Sequence, residues 1–364
     1  MSSKKLLPLC GTLPKIIYLL TAVVLALNFS CKDSGTGPEE KKSVRDYTWT
    51  ADTLTRAGSI QTLMRSIWGS SANDIYICGH NDDIYGNIWH YDGKEWEYID
   101  STQKLREQFG GASYQAVHGT ASNNVWVVGH SGTKPFILEY NGTSWKKHMV
   151  NANSRVYSVY AVSKNEVWAC GADGIVYHYD GSGWDIDTIK VSQSLGDQYN
   201  MFSITKVNST IFAHAAVFEN NSSRDRFYLF EKNNEVWTKV DSFVIDSQNS
   251  QWKWGANHLY STSFGKLYAV GFGLYEREGN DWVTILPQEL ASFRGFRDKG
   301  KNNMIACGDG GSAYHYDGNN WQEINALHGK DLLYTGVWME EDEVFVIAND
   351  LSGYPQTTIV WHGK

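Results

Sequence analysis

The stretch Tyr91-Asp-Gly-Lys-Glu-Trp96 decides the fold of this chain, because closely related stretches recur along most of its length. The last complete copy is Tyr316-Asp-Gly-Asn-Asn-Trp321. Asp-Gly and Asn-Gly favour tight hairpin turns, whose two central residues both need a positive φ angle. Each copy therefore predicts a strand that ends in a tight turn, followed by a strand that carries tryptophan. The tryptophans of these hairpins are Trp96, Trp145, Trp184, Trp237, Trp282 and Trp321.

The hairpins belong to a longer repeat that predicts four short strands per unit. The first strand has a small residue near its centre, the second is apolar, the third ends at the hairpin and the fourth carries the tryptophan. Four strands repeated at about 40–50 residues are typical of a β-propeller blade. Clear copies span 66–100, 116–150 and 158–190, weaker copies lie around 202–241, 259–284 and 295–324, and a seventh begins at Gly336. The small residues are Ser66, Ala116, Ser158, Gly295 and Gly336.

The seventh repeat ends at the turn His362-Gly-Lys364 and has no strand with tryptophan after it. Near the other end of the chain, Trp49 stands in a strand-like segment with no hairpin before it. Joining the two segments restores the motif. We therefore predict an all-β, seven-bladed β-propeller over residues 46–364, in which an N-terminal strand completes the last blade and closes the ring. Tandem single-sheet repeats or a β-sandwich are alternatives, but neither explains seven copies of one unit.

With these repeats the chain resembles the broad class of WD40-, YVTN- and BNR-like propellers found in secreted bacterial proteins. The resemblance covers about residues 46–364 and implies the fold, because propellers host many unrelated functions. The turns are also similar to the Asp-box of sialidase-like propellers. Asp180 and Trp184 are one residue closer than in that box, and its Ser and Thr positions do not match. In that family the box is a structural turn remote from catalysis.

The first thirty residues predict a targeting segment. Lys4, Lys5 and Lys15 precede a largely apolar run over 16–27, which has the length of a secretory signal and is too short for a membrane span. The following Asn28-Phe-Ser-Cys31 resembles the lipobox of bacterial lipoproteins, although that family prefers Leu where Asn28 stands. The resemblance implies that Cys31 is acylated and becomes the mature N-terminus. An ordinary cleaved signal peptide is the alternative.

These features predict a lipoprotein signal peptide over 1–30 and a flexible tether over 31–45, rich in Gly, Pro and charged residues. The protein would be lipid-anchored to the outer membrane of a bacterial envelope, periplasmic or surface-exposed. Removing residues 1–30 deletes three lysines and no acids, which takes the formal net charge from −8 to −11. Such an acidic surface excludes nucleic acid as a ligand and leaves membrane attachment to the lipid.

The remaining cysteines and the repeated histidines do not indicate a metal site. Cys78, Cys170 and Cys307 each precede a glycine at one position of three different repeats, which predicts separate buried residues without a disulfide. His90, His178 and His315 share another repeat position, and we predict surface histidines on different blades. The sequence contains no phosphate-binding loop, dinucleotide fingerprint or zinc-protease motif, so we predict no metal and no cofactor.

Ligand binding is predicted on one face of the ring. In a propeller, the connections from second to third strands and between blades share one face, and here they include the long stretches 101–114, 214–226 and 241–258. Long loops on a rigid ring commonly bind ligands, although loops that merely pack are the alternative. We predict a non-enzymatic binding or assembly platform for a protein or glycan. The rival is a carbohydrate-active enzyme, either a sialidase-like hydrolase or a polysaccharide lyase, which carboxylates facing each other at the channel mouth would favour. The candidate ligand-binding residues are Tyr85, Tyr199, Arg224, Arg226, Trp252, Trp254 and Tyr354.

Overall fold

The computed structural model describes residues 42–364 except 84, 100–110, 234–235 and 330. Within this part of the chain the strands form seven four-stranded antiparallel sheets. The first strand of each sheet contacts the first strands of the two neighbouring sheets, and this succession returns to its starting point. The sheets are therefore the seven blades of a closed propeller, which confirms the predicted fold.

The strands follow one another along the chain, from the innermost to the outermost of each blade. Blade 1 has β2 (Thr62–Ser71), β3 (Asp74–Asn81), β4 (Ile88–Tyr91) and β5 (Trp96–Tyr98); blade 2 has β6 (Ser113–Ala121), β7 (Asn124–Ser131), β8 (Lys134–Tyr140) and β9 (Trp145–His148); blade 3 has β10 (Val156–Ser163), β11 (Glu166–Gly171), β12 (Ile175–Tyr179) and β13 (Trp184–Thr188). Blade 4 has β14 (Gln198–Val207), β15 (Thr210–Phe218), β16 (Asp225–Asn233) and β17 (Val236–Ile245); blade 5 has β18 (His258–Ser261), β19 (Leu267–Gly271), β20 (Gly273–Glu278) and β21 (Asp281–Leu286). Blade 6 has β22 (Phe293–Asp298), β23 (Met304–Gly308), β24 (Ser312–Tyr316) and β25 (Trp321–Glu323); blade 7 has β26 (Leu332–Met339), β27 (Val344–Asp350), β28 (Thr357–Gly363) and, last, β1 (Trp49–Leu54).

The small residues of the innermost strands let neighbouring blades approach. Ser66 Oγ accepts a hydrogen bond of 3.1 Å from Val117 N of the next blade. A Cβ on Gly295 would lie 3.0 Å from the Gly336 Cα atom of blade 7. In blade 5 this position belongs to His258, because His258 pairs with Val270 as Ser66 pairs with Cys78. The innermost strands thus lie side by side around the axis.

The hydrophobic core lies between neighbouring blades. Cys78, Cys170 and Cys307 are buried and free, and each belongs to a different core cluster, as predicted. The prediction of surface histidines was wrong for His315, which is only 3% exposed and bonds to Asn303 Oδ1 at 3.0 Å.

The ring closes through β1 and β28. Trp49 pairs with Gly363, and beyond this pair Thr48 N donates to Lys364 O at 2.9 Å while Lys364 N donates to Thr48 O at 3.2 Å. The terminal strand therefore completes blade 7, which confirms the predicted closure. Trp49 is half-buried, as are the six hairpin tryptophans.

The end of the predicted tether belongs to the ring. Val44–Asp46 form a 3-10 helix, Val44 is 2% exposed, and Arg45 Nη1 bonds to Asp317 Oδ2 of blade 6 at 2.8 Å. The tether boundary at residue 45 was thus placed too far along the chain, because one apolar and one charged residue there find partners. The remainder of the tether, the signal segment and Cys31 lie outside the described residues. Among the residues described, no helix is long and apolar enough to cross a membrane.

Candidate functional site

The two faces of the ring differ in their connections. Connections from first to second and from third to fourth strands are short, as at 72–73, 122–123, 164–165 and 279–280. The opposite face, here called the variable face, carries the connections from second to third strands and between blades. The longer of these are residues 55–61, 82–87, 149–155, 189–197, 219–224, 246–257, 287–292 and 351–356. The predicted loop 101–114 lies mostly outside the described residues.

Two of the predicted ligand-binding residues are buried. Trp254 is 0% exposed and stacks on Trp282, with ring centroids 5.7 Å apart, inside the core of blades 4 and 5. Tyr199 is 3% exposed and belongs to the core between blades 3 and 4. The Trp254 ring offers no surface to a ligand, so assigning it to ligand binding was wrong. Tyr199 is almost fully buried, although it contributes to the lining of a cavity between blades 3 and 4. Trp254 lies within the loop 246–257 and Tyr199 follows the loop 189–197, but both rings turn inward and fill space between blades.

Arg226 has a structural environment. Its guanidinium contacts Glu219 Oε1 at 3.0 Å, Ser192 O at 2.7 Å and Asp197 Oδ2 at 3.4 Å. These partners lie in the loops 189–197 and 219–224, which Arg226 therefore holds together. Arg224 is exposed, and its side chain has no partner among the residues described.

The other predicted residues are accessible but dispersed. Trp252 is half-buried and stacks on Phe272 at 4.3 Å beside blades 4 and 5. Tyr85 is half-buried near the Arg56 guanidinium, which lies 5.3 Å from its ring centroid at blade 1. Tyr354 is 73% exposed on blade 7. The structure therefore does not unite the predicted residues into one site.

A more coherent group lies at the mouth of the central channel. In six innermost strands an irregularity of the ladder falls just before the small residue, near the variable face. The extra residue there is at least partly exposed. Such bulges re-aim side chains, and here they arrange one residue per blade around the channel mouth. The residues are Arg65, Gln115, Tyr157, Phe202, Arg294 and Thr335.

Arg65 and, at the end of the loop before β10, Arg155 give this mouth a positive charge, whereas Arg294 is paired with Asp309. Arg65 Nη1 reaches from blade 1 to blade 2, where it donates to Ser113 Oγ at 2.8 Å and to Tyr114 O at 3.1 Å. Arg155 Nε donates to Gly132 O at 3.3 Å. Within the described part of the chain, neither guanidinium is paired with a carboxylate.

Histidines lie beside these arginines. Burial lowers the pKa of His130, and the positive charges of Arg155 and Arg65 lower it further. Burial and Arg65 also lower the pKa of His80, against the opposing effect of Asp82. Both imidazoles are therefore neutral near pH 7 and available for hydrogen bonds.

Further down the channel, side chains from opposite blades approach one another. Burial and the charge of Arg297 lower the pKa of His118 in blade 2 to about 3. Water reaches His258 in blade 5, yet the surrounding protein together with Arg294 and Arg297 lowers its pKa to about 4. The Arg297 guanidinium of blade 6 lies 5.0 Å from the Tyr260 ring centroid of blade 5, so it reaches across to a neighbouring blade.

Hydrogen bonds narrow the channel at this depth. Tyr160 Oη and Ser261 Oγ are 3.0 Å apart and link blade 3 directly to blade 5. Thr205 Oγ1 of the intervening blade lies 3.1 Å from the same hydroxyl. Near the mouth, a cavity of about 280 Å³ opens between blades 3 and 4, with Arg155 and Tyr157 in its lining. Hydrogen bonds therefore constrict the channel below its mouth, and the mouth together with this constriction is here called the funnel.

Two carboxylates near the mouth, Asp309 and Asp82, are already engaged, whereas Asp173 lines the cavity beside Arg155 without a side-chain partner among the residues described. Asp309 Oδ1 accepts a bond of 2.6 Å from Arg294 Nε. Asp82 accepts bonds from Ser59 Oγ and from the backbone of Ile60 and Gln61. Repeat alignment could have found the mouth residues, because each precedes the small residue of an innermost strand. Loop length was the wrong signal, since these residues lie on strands.

No protein-family profile and no curated protein sequence matches this chain. Solved structures do match its fold. YCF48 bound to D1 peptide has a TM-score of 0.58 and 14% identity over 86% of this chain and 96% of that one. Virginiamycin B lyase from Staphylococcus aureus has a TM-score of 0.59 and 10% identity over 86% of this chain and 99% of that one. The extracellular domain of BT4673, a one component system of B. thetaiotaomicron, gives 0.58 and 12% over 86% of this chain and 40% of that one. At these identities the likeness shows a shared fold, so this chain is a β-propeller whose function rests on its own side chains.

Proposed function

We propose that this protein is a non-enzymatic binding platform that holds a protein or glycan ligand on its variable face. The observation that supports this most is the pair Arg65 and Arg155, which stand at the channel mouth without carboxylate partners in the described chain. Each is positioned by hydrogen bonds to neighbouring strands or turns. Polar groups pre-oriented on rigid strands are what a binding site needs.

Aromatic side chains beside the arginines extend this surface. Tyr157 and Phe202 stack with ring centroids 6.0 Å apart and planes 16° apart, on adjacent blades of the mouth. Both are only partly buried. A cationic rim with adjacent aromatic rings suits an extended polypeptide that has both acidic and apolar side chains. The solved complex of YCF48 with a D1 peptide supports a peptide ligand for this fold as well.

The rival proposal, a carbohydrate-active enzyme, needs acids that are free to transfer protons. Asp309 is paired with Arg294, and Asp82 holds the loop around Ser59. Both carboxylates thus have structural partners, which favours the platform. The fold itself does not separate the two classes, since virginiamycin B lyase shares it.

The proposal includes the cellular location of the protein. We propose that the lipid on Cys31 attaches the protein to the outer membrane of a bacterial envelope, with the propeller on the periplasmic side or at the cell surface. The acidic composition supports attachment through lipid over attachment through charge.

Site-specific photo-crosslinking in the native host tests the platform. A photoreactive phenylalanine analogue replaces Tyr157 at the mouth in one variant and Thr143, exposed in a turn of the opposite face, in the matched control. We expect a defined adduct from position 157 and none from position 143. Equal adducts from both positions, or turnover of a polysaccharide by the purified protein, would overturn the proposal.

A further inference from the structure

We infer that the funnel at the channel mouth is an anion site that anchors the ligand through a carboxylate group of a polypeptide. This anion funnel consists of Arg65, His80, His130 and Arg155 at the mouth, with Arg297 below. The inference rests on the proposed function and names the group that the platform recognises.

The first argument is the geometry of the two mouth arginines. Arg65 uses one terminal nitrogen for both of its hydrogen bonds, and Arg155 uses Nε for its single bond. The other guanidinium nitrogens have no partner among the residues that the structure describes. In each guanidinium one nitrogen is held by the protein and the others remain available as donors. Such a planar group can bind the two oxygens of a carboxylate.

The second argument is that no described carboxylate is paired with the funnel arginines, although Asp173 and Asp197 line the cavity beside Arg155. Hydrogen bonds connect Arg65 through Ser113 Oγ to Gln115 Nε2, which lies 3.4 Å from His130 Nε2. The His130 ring centroid is 6.1 Å from that of Tyr157, which lines one cavity with Arg155, so the two positive charges lie in one region of the mouth. Below them, Arg297 donates to Phe296 O at 2.9 Å and lies 5.0 Å from the Tyr260 ring centroid, again without a carboxylate in the described chain. Like charges near one another repel, and a bound anion relieves this repulsion.

A third observation is independent of the arginines. His214, in β15 just behind the funnel, is 1% exposed, and neither ring nitrogen has a hydrogen-bond partner in the described residues. Its neighbour His258 faces the channel. Buried polar groups without partners are rare, and they mark places where a bound polar group or water completes the network.

The constriction in the funnel favours a small ligand group, such as one carboxylate side chain, over a folded domain. The hydrogen bond between Tyr160 and Ser261 crosses from blade 3 to blade 5 and restricts the channel. A carboxylate on a flexible peptide arm can enter from the mouth, whereas a folded domain must remain on the variable face. Phosphate shares the charge chemistry, so the experiment separates phosphate from carboxylate.

The test is fluorescence anisotropy with the full-length protein in detergent, near neutral pH. The probe is a short fluorescein-labelled poly-glutamate peptide, and the neutral probe is a glycine-serine peptide with the same label and length. We expect the acidic probe to bind about tenfold or more tightly than the neutral one, with an affinity that falls as salt rises. Equal affinity for the two probes would show that the funnel does not select anions.

Variants identify the residues. Arg65→Gln combined with Arg155→Gln should weaken binding of the acidic probe by about tenfold or more. Lys94→Gln, at an exposed cation in a turn of the opposite face, is the control and should leave the affinity unchanged. The double Arg→Lys variant keeps both charges and loses the forked donors, so we expect an intermediate loss. An unchanged affinity in a folded double Gln variant, judged by its thermal midpoint, overturns the inference.

Two further experiments distinguish a carboxylate site from a phosphate site, and failure of the anion inference from failure of the proposed function. Acetate should displace the probe at a lower concentration than inorganic phosphate does, and the reverse order overturns the carboxylate assignment. The crosslink from position 157 is then repeated in the double Gln variant. Persistence of that adduct shows that the platform survives while the anion inference fails, whereas an absent adduct in the parent protein contradicts the proposed function itself.

Discussion

The indole of Trp49 lies across Gly363, its partner in the closing ladder, so closely that a Cβ on Gly363 would come within 2.8 Å of the ring. In blade 1 the equivalent pair is Trp96 and Tyr91, whose ring centroids are 5.1 Å apart. The closing blade thus has a glycine where blade 1 has an aromatic residue. Trp49 covers this glycine and packs on the core shared by blades 6 and 7.

Substitutions at this pair should destabilise the ring. We expect Trp49→Ala to cost about 2–4 kcal/mol of unfolding free energy, because a half-buried indole is lost. Gly363→Ala should cost about 1–3 kcal/mol through crowding against the ring. In the double variant the second cost should largely disappear, since the indole is no longer there. Urea unfolding of the four proteins measures the coupling, and strictly additive effects would contradict the contact.

Truncation should reveal where the ring begins. Removal of residues 32–41 should leave the thermal midpoint unchanged, whereas removal of residues 32–45 should lower it. The second deletion takes away buried Val44 and the bond between Arg45 and Asp317. Arg45→Ala in the intact chain separates the ion pair from the apolar contact. Equal midpoints for the two truncations would mean that the 3-10 helix adds nothing to stability.

The two loop tryptophans should behave differently. Trp254→Ala should cost about 3–5 kcal/mol, because it empties a fully buried site. Trp252→Ala should cost less, since that ring is only half-buried against Phe272. Thermal unfolding of the two variants provides the comparison. A Trp254 variant as stable as the parent would show that the indole is not part of the core.

Stability should decline on mild acidification because of buried histidine. Burial lowers the pKa of His214 to about 3, while the unfolded side chain keeps its ordinary pKa of about 6.5. Between about pH 6.5 and about pH 3, His214 is therefore protonated in the unfolded chain and neutral in the folded chain. The free energy of unfolding consequently falls as the pH drops through this range. The loss from this one group is on the order of a few kcal/mol.

His214→Cys removes this titration and introduces the residue that blades 1, 3 and 6 have at the equivalent position. We expect a shallower dependence of the urea midpoint on pH between about 4 and about 6.5. His328→Gln, at an exposed histidine, is the control and should keep the parent slope. An unchanged slope in the Cys variant would remove His214 as the cause.

Under the lipoprotein proposal, membrane attachment depends on one cysteine, Cys31. If Cys31 is acylated, Cys31→Ser should move the protein from the membrane fraction to the soluble fraction and abolish metabolic labelling with palmitate. Cys10→Ser, within the signal segment, is the matched control and should change neither result. Retention of both label and membrane association in the Cys31 variant would refute the lipoprotein proposal.

The candidate site shows where prediction from sequence stopped. Arg65 and Arg155 are separated by a whole blade in sequence and approach the same imidazole, His130, only because the ring brings blades 1 to 3 around one axis. The tryptophans 252 and 254 are two residues apart in one loop, yet one is half-buried and the other fully buried. Strand alternation is absent in a loop, so no period in the sequence distinguishes them.

The sequence by itself determined the seven blades, the partner of the unfinished seventh repeat and the burial of Cys78, Cys170 and Cys307. Those properties depend on local patterns, because turn chemistry and alternation act within a few residues and recur in every unit. The tertiary structure alone decided which polar side chains face the channel and which of their charges stay unpaired. That outcome depends on residues that are distant in sequence and meet at the axis only when the ring closes. The closed ring therefore sets the distances between their charges.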